Sequence, residues 1–177
     1  LGNPRRFVMD HAYWGQAYDT DEIQGALERN GAGYTYISDR DKLVEATVDS
    51  LTSGEVVGWH QGRFEWGPRA LGNRSIIADP RSAEMKDIVN NKIKFREPFR
   101  PFAPSVLSEK AEDYFDLDAS KASYPARFML LVVPVRDEQQ YNVPAISHLG
   151  TARIQTVHAD ANPLYHDLIK TFGEATG

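Results

Sequence analysis

Cysteine is missing from all 177 residues, so disulfides, thiolate metal sites and a cysteine nucleophile are excluded, and residence in a reducing cytoplasm is the expectation. No apolar run approaches the length of a bilayer span and no signal-peptide pattern opens the chain, so no membrane partner is expected. His11, His60, His158 and His166 show no metal-ligand spacing, and no protein-held metal site is expected here. Internal repeats and low-complexity tracts are also missing. The chain opens on Leu1 rather than Met and closes on Glu174-Ala-Thr-Gly177, which reads as part of a longer protein. A net charge of −5 argues against general nucleic-acid binding.

What is present is a core-forming composition, 41% hydrophobic and 25% charged, which suits one globular domain. Its charge is unevenly spread. Residues 63–100 hold nine Lys/Arg against five Asp/Glu, and the rest of the chain eleven against twenty. Such a basic island fits a pocket for a small anion better than a track for a polyanion. It begins at Gly62–Pro80, GRFEWGPRALGNRSIIADP, where Arg63, Arg69 and Arg74 alternate with Gly62, Gly67 and Gly72. Arginine offers a rigid fork to phosphate or carboxylate, and glycine lets backbone amides approach an anion. The competing reading is an arginine-rich surface loop. A second stretch, Lys92, Lys94, Arg96 and Arg100, runs into Pro98, Pro101 and Pro104, which forbid a helix; on an extended backbone Lys94 and Arg96 point the same way. A solvated basic loop accounts for it equally well.

Caps and periodicity predict helices over 21–29 from Thr20, from Asp39 to Gly54 with a Leu43, Val44, Thr47, Val48, Leu51 stripe, over 83–91 from Ser82, from Ser108 to Phe115, and from Asn162 to Gly173. Strands are predicted at 34–37, 55–59, 75–78, up to Val106-Leu107, and at 154–157. The most apolar run, Arg127 to Val135, reads as a central strand. Between the basic-loop strands a helical turn is expected at Arg69–Leu71, and 116–124 reads as a polar connection. The fold class is therefore α/β (α+β), a twisted mixed sheet flanked by helices. Connections between Val135 and Ile154 are too short for the crossovers of a doubly wound parallel sheet.

Three separated segments, GRFEWGPRALGNRSIIADPR, MKDIVNNKIKFREPFRPFAPSVL and HLGTARIQTV, follow the order and approximate spacing of the C-terminal domain of the NodU/CmcH carbamoyltransferases. The chain closely resembles that domain over nearly its whole length, and AYWGQAYDTDEI resembles the segment leading into it. The resemblance implies a YrdC-like domain at 19–177 and a lead-in at 1–18 from an actin-like N-terminal lobe, absent here, which would hold an iron-type metal and perform final transfer. It further implies that this domain binds ATP, with magnesium admitted beside it, and carbamoyl phosphate. The product would be carbamoyladenylate, used in a biosynthetic transfer to a small-molecule hydroxyl.

Lys94-x-Arg96 resembles the Lys-x-Arg signature of YrdC-like domains, which implies a catalytic place for both residues. By the same resemblance Arg69, Asn73, Arg74, Arg100, Ser105, His148, Thr151 and Arg153 are nucleotide- or carbamoyl phosphate-binding candidates. One departure stands out: the family's His-Val-Asp-Gly-Thr pattern is here His148-Leu149-Gly150-Thr151, one residue shorter and without the acid. His148 is open to a base or ligand reading and to a structural one. Trp59 is expected in the core, while Phe64 and Trp66 either stack on adenine or pack. Asp79 and Glu65 either position magnesium through bound phosphates or orient the arginines. The alternative class is a non-catalytic nucleotide-, phosphate- or RNA-binding module.

Overall fold

Two helices near the start each begin where a carboxylate can accept from free backbone amides. A computed structural model describes residues 2, 4, 6–117 and 124–177. Helix α1 (Thr20–Arg29) is capped by Asp19 rather than by Thr20. Asp19 accepts from the Glu22 amide at 2.8 Å and Glu22 accepts from the Asp19 amide at 2.9 Å, a reciprocal box that a cap at Thr20 would not complete. Helix α2 (Arg40–Thr52) starts at Asp39 as predicted and buries Val44, Thr47, Val48 and Leu51. Residues 34–37 between them form no strand. Among the described residues no neighbour pairs with them, and β-propensity without a partner edge does not hold an extended segment.

The strands fall into two small sheets. β1 (Val57–His60) and β2 (Arg74–Ile77) form an antiparallel hairpin, with His60 opposite Arg74, and the glycine-arginine loop connects them. β3 (Ser105–Leu107), β4 (Leu131–Pro134) and β5 (Thr151–Val157) form a mixed sheet in the order β3-β5-β4, with β3 parallel and β4 antiparallel to β5. The mixed α/β class is as predicted, but the central strand is β5. The apolar run 127–135 supplies a four-residue edge strand preceded by a turn, with Val132 exposed and Val133 buried. An edge position also explains how the sheet tolerates Pro134.

The helix expected over 83–91 is shorter and stranger: α3 (Met85–Ile88) continues as a π-helical turn from Val89 to Lys94, which ends at Phe95 with φ +48°. Lys94 and Arg96 therefore do not share an extended backbone, and the argument that they point the same way fails. No side chain of Ser82 or Ser108 caps a helix; a 3₁₀ turn at Ser108–Lys110 leads into α4 (Ala111–Tyr114). Part of the expected polar connection, 118–123, lies outside the described residues. The last helix, α5 (Pro163–Thr176), is capped by Asn162 as predicted but passes through Gly173. It packs on α2. Val44, Val48, Trp59, Val157, Tyr165 and Leu168 form a core between α2, β1 and α5, and a second core lies where Val106, Phe115, Val133, Val135 and Ile154 meet. No helix among the described residues is long and apolar enough to cross a membrane.

Candidate active site

The glycine-arginine loop has no helical turn at Arg69–Leu71; its shape comes from one carboxylate. Oε1 of Glu65 accepts from the backbone amides of Leu71 at 2.9 Å, Asn73 at 2.8 Å and Arg74 at 3.0 Å. The anion drawn in by these glycine-flanked amides is thus part of the chain. Gly72 lies directly on Tyr165: a Cβ there would sit 2.4 Å from the ring, and φ is +103°. Residues 12–17 run along the other side, with the Gly15 amide donating to Phe64 O at 2.9 Å and the Trp66 amide to Ala12 O at 2.6 Å.

Two of the loop's candidates are committed to holding it. The guanidinium of Arg74 donates to the carbonyls of Gln61, Asn73 and Gly62 and lies 4.1 Å over the Phe64 ring. Asn73, buried, donates to Arg63 O at 2.8 Å and accepts from Gln61 and Asn162. Tyr13 extends this network, donating to Leu71 O at 2.7 Å, and burial pushes its pKa up to about 12.

Arg69 goes elsewhere. It lines a cavity of about 420 Å³ together with Lys94, Arg96, Ser105 and Arg153, residues from three separated segments. The guanidinium of Arg153 is pushed below the usual arginine range, first by burial and then by the positive charges of Arg69 and Arg96. Three guanidinium groups thus share one volume, where their mutual repulsion is uncompensated by a carboxylate partner among the described residues. Arg96 is steered by Asn90, a fully buried side chain whose Oδ1 accepts from Arg96 Nε at 2.7 Å, and the guanidinium lies 4.5 Å over Phe102. Ser105 donates to Gln155 at 3.0 Å and accepts from Tyr165 at 3.1 Å. Among the described residues, no ion pair engages Arg69, Lys94, Arg96 or Arg153.

Asn73, Arg74, Arg100, His148 and Thr151 lie outside the cavity lining, whereas Asp79 is part of it. Arg100, exposed, pairs with Glu97 at 2.9 Å. His148 and Thr151 close a tight turn by paired backbone hydrogen bonds of 2.8 and 3.0 Å, with Leu149 and Gly150 at φ +52° and +74°. Positive φ at both central positions is the type I′ arrangement, and it places the shortened motif at the entry to β5. Of the two acids considered for magnesium, Asp79 grips Arg81 through Nε at 3.0 Å and Nη2 at 2.6 Å, and Glu65 is occupied as described. They orient the chain and do not fit a protein-held magnesium. Trp59 is buried as predicted, and Trp66 is 74% exposed. Lys86, Phe102 and Tyr165 line the cavity without having been singled out as binding candidates. For Lys86 the signal was available, since it follows buried Met85 on a helix that enters the basic stretch.

The family model described as Carbamoyltransferase C-terminus matches residues 48–177. The chain is 44% identical over 179 residues to nodulation protein NolO of Bradyrhizobium diazoefficiens, covering 99% of this chain and 32% of that protein. It is 44% identical over 192 residues to an uncharacterized protein, sll1178, of Synechocystis, covering 96% and 30%. With the 3′-hydroxymethylcephem-O-carbamoyltransferase of Streptomyces clavuligerus it shares 40% identity over 133 residues, 75% of this chain and 24% of that protein. The chain thus spans a third or less of the length of these relatives.

Proposed function

The chain belongs to the family of carbamoyltransferase C-terminal domains, and from that premise we propose that it forms the carbamoyl-activating part of an O-carbamoyltransferase. The cavity would take the phosphates of ATP and carbamoyl phosphate. Atom balance defines the reaction: with water, carbamoyl phosphate yields carbamate and inorganic phosphate. A carbamate oxygen then attacks the α-phosphorus of ATP, the bond to the β-phosphate oxygen breaks, and carbamoyladenylate and pyrophosphate result. The negative charge that grows on the leaving pyrophosphate needs fixed positive donors in a partly desolvated site.

The observation that carries this reading is the convergence of Arg69, Lys94, Arg96 and Arg153 on one cavity. Arg69 and Arg153 are open to phosphate oxygens from opposite segments, Arg96 is held by Asn90, and Lys94 supplies a mobile point charge. Magnesium would reach this site on ATP. A reaction fed by ATP fits the cytoplasm, and the acceptor hydroxyl would be chosen by the remainder of the longer protein. The test is isotope exchange between ATP and pyrophosphate in that longer protein. Exchange that requires carbamoyl phosphate is expected. Its absence there, or tight salt-dependent binding of a generic RNA by this chain instead, would overturn the reading.

A further inference from the structure

The tip of the loop that carries Arg69 is held from its flanks. Among the described residues no backbone hydrogen bond involves residues 67–70, and Pro68 has no amide to offer. On one flank the Trp66 amide reaches Ala12 O. On the other, Glu65 Oε1 gathers the amides of Leu71, Asn73 and Arg74 at 2.8–3.0 Å, beside the bonds that Gln61, Asn73 and Arg74 make across the base of the loop. One acceptor taking three convergent amides is a nest of the kind that usually receives a bound anion, here filled from within. The geometry points to Glu65 as a positioning residue for Arg69. It folds residues 65–74 into a closed loop whose projecting arginine is aimed at the cavity. Its carboxylate also supplies the nest's negative charge, so that an incoming phosphate meets Arg69 rather than the loop amides.

The consequence for binding rests on the function proposed above, whereas the consequence for the loop does not, and the two are measured separately. Amide hydrogen exchange in this chain tests the loop. In Glu65→Ala the amides of Leu71, Asn73 and Arg74 should exchange about tenfold faster or more, while Val135, bonded to Gly150 O, is unchanged. Glu65→Gln keeps an acceptor oxygen and should restore most of the protection. Should the alanine variant fail to fold, Glu65→Asp, with its carboxylate drawn back, takes its place. Unchanged exchange at all three amides would overturn the assignment.

Calorimetric titration of ATP and of pyrophosphate tests the consequence. Glu65→Ala should weaken binding about tenfold. In an Arg69→Ala background the same change should have no further effect, because the residue acts through Arg69. Additive losses would mean that Glu65 does not work through Arg69 and would overturn the proposal. If the unaltered chain binds neither ligand, the proposed function falls, and the exchange measurement alone decides the role of Glu65.

Discussion

The two basic stretches look alike in composition and are used differently. In 62–74 most of the polar groups are satisfied inside the fold: Arg74 by three carbonyls and an aromatic face, Asn73 by a buried network, the amides by Glu65. Only Arg69 is left to the cavity. In 92–104 the anchor is the buried side chain of Asn90, which also donates to the carbonyls of Pro98 and Arg100 at 3.3 and 3.1 Å; Arg96 gives Nε to Asn90 and Nη2 to Pro101 O at 3.5 Å, so that Lys94 and Nη1 of Arg96 remain available. Arginine content is therefore a poor guide to where an anion binds. The useful quantity is how many donors of each guanidinium the fold has already engaged.

Substitutions can break or sharpen this contrast. The largest effect is expected from Gly72→Ala, which adds a Cβ against the Tyr165 ring at a positive φ. It should cost about 3 kcal/mol of stability in urea denaturation. Asn90→Ala removes the second stretch's anchor and leaves Arg96 Nε and two carbonyls without their partner. A loss of about 2 kcal/mol is expected by the same measurement. Arg74→Ala should cost about 1.5 kcal/mol, and Arg69→Ala no more than about 0.5 kcal/mol, since nothing in the fold depends on its guanidinium. Equal losses in these two variants would erase the contrast.

A comparably small effect belongs to a site outside both stretches. Burial alone would raise the Glu109 pKa, but hydrogen bonds from its own backbone amide, His166 and Ser108, with the charge of His166, hold it below its ordinary value. A carboxylate depressed in the folded state contributes stability that is present above the ordinary value of 4.5 and lost as pH falls through the lower folded value. Because half of that side chain is in solvent, screening keeps the contribution to about 0.5 kcal/mol. Glu109→Gln should lower stability by that amount at pH 7 and by progressively less as pH falls below 4.5, measured by denaturation across that range.

Much of the fold was legible where local chemistry decides it. Asp39 and Asn162 cap their helices as their side chains predict, and the α2 stripe is buried as its spacing predicts. What tertiary pairing decides was not. The apolar content of 127–135 could not reveal that β5 would take the central place, and the prolines after Lys94 concealed the π-helical turn before them. The site shows the same division. The family resemblance could nominate Arg69, Arg74, Arg96 and Arg153, but which of them are engaged depends on carbonyls brought in by the hairpin and on Asn90. Glu65 was visible as a lone acid, and only the folded loop shows it taking three amides.

The claim that availability, not arginine content, defines the site is tested most directly by titrating ATP into Arg69→Ala, Arg153→Ala and Arg74→Ala chains. Each of the first two should weaken binding by about 2 kcal/mol, roughly 30-fold, while folded Arg74→Ala binds as the unaltered chain does. Loss of binding in Arg74→Ala alone, or undiminished affinity in both Arg69→Ala and Arg153→Ala, would contradict the account.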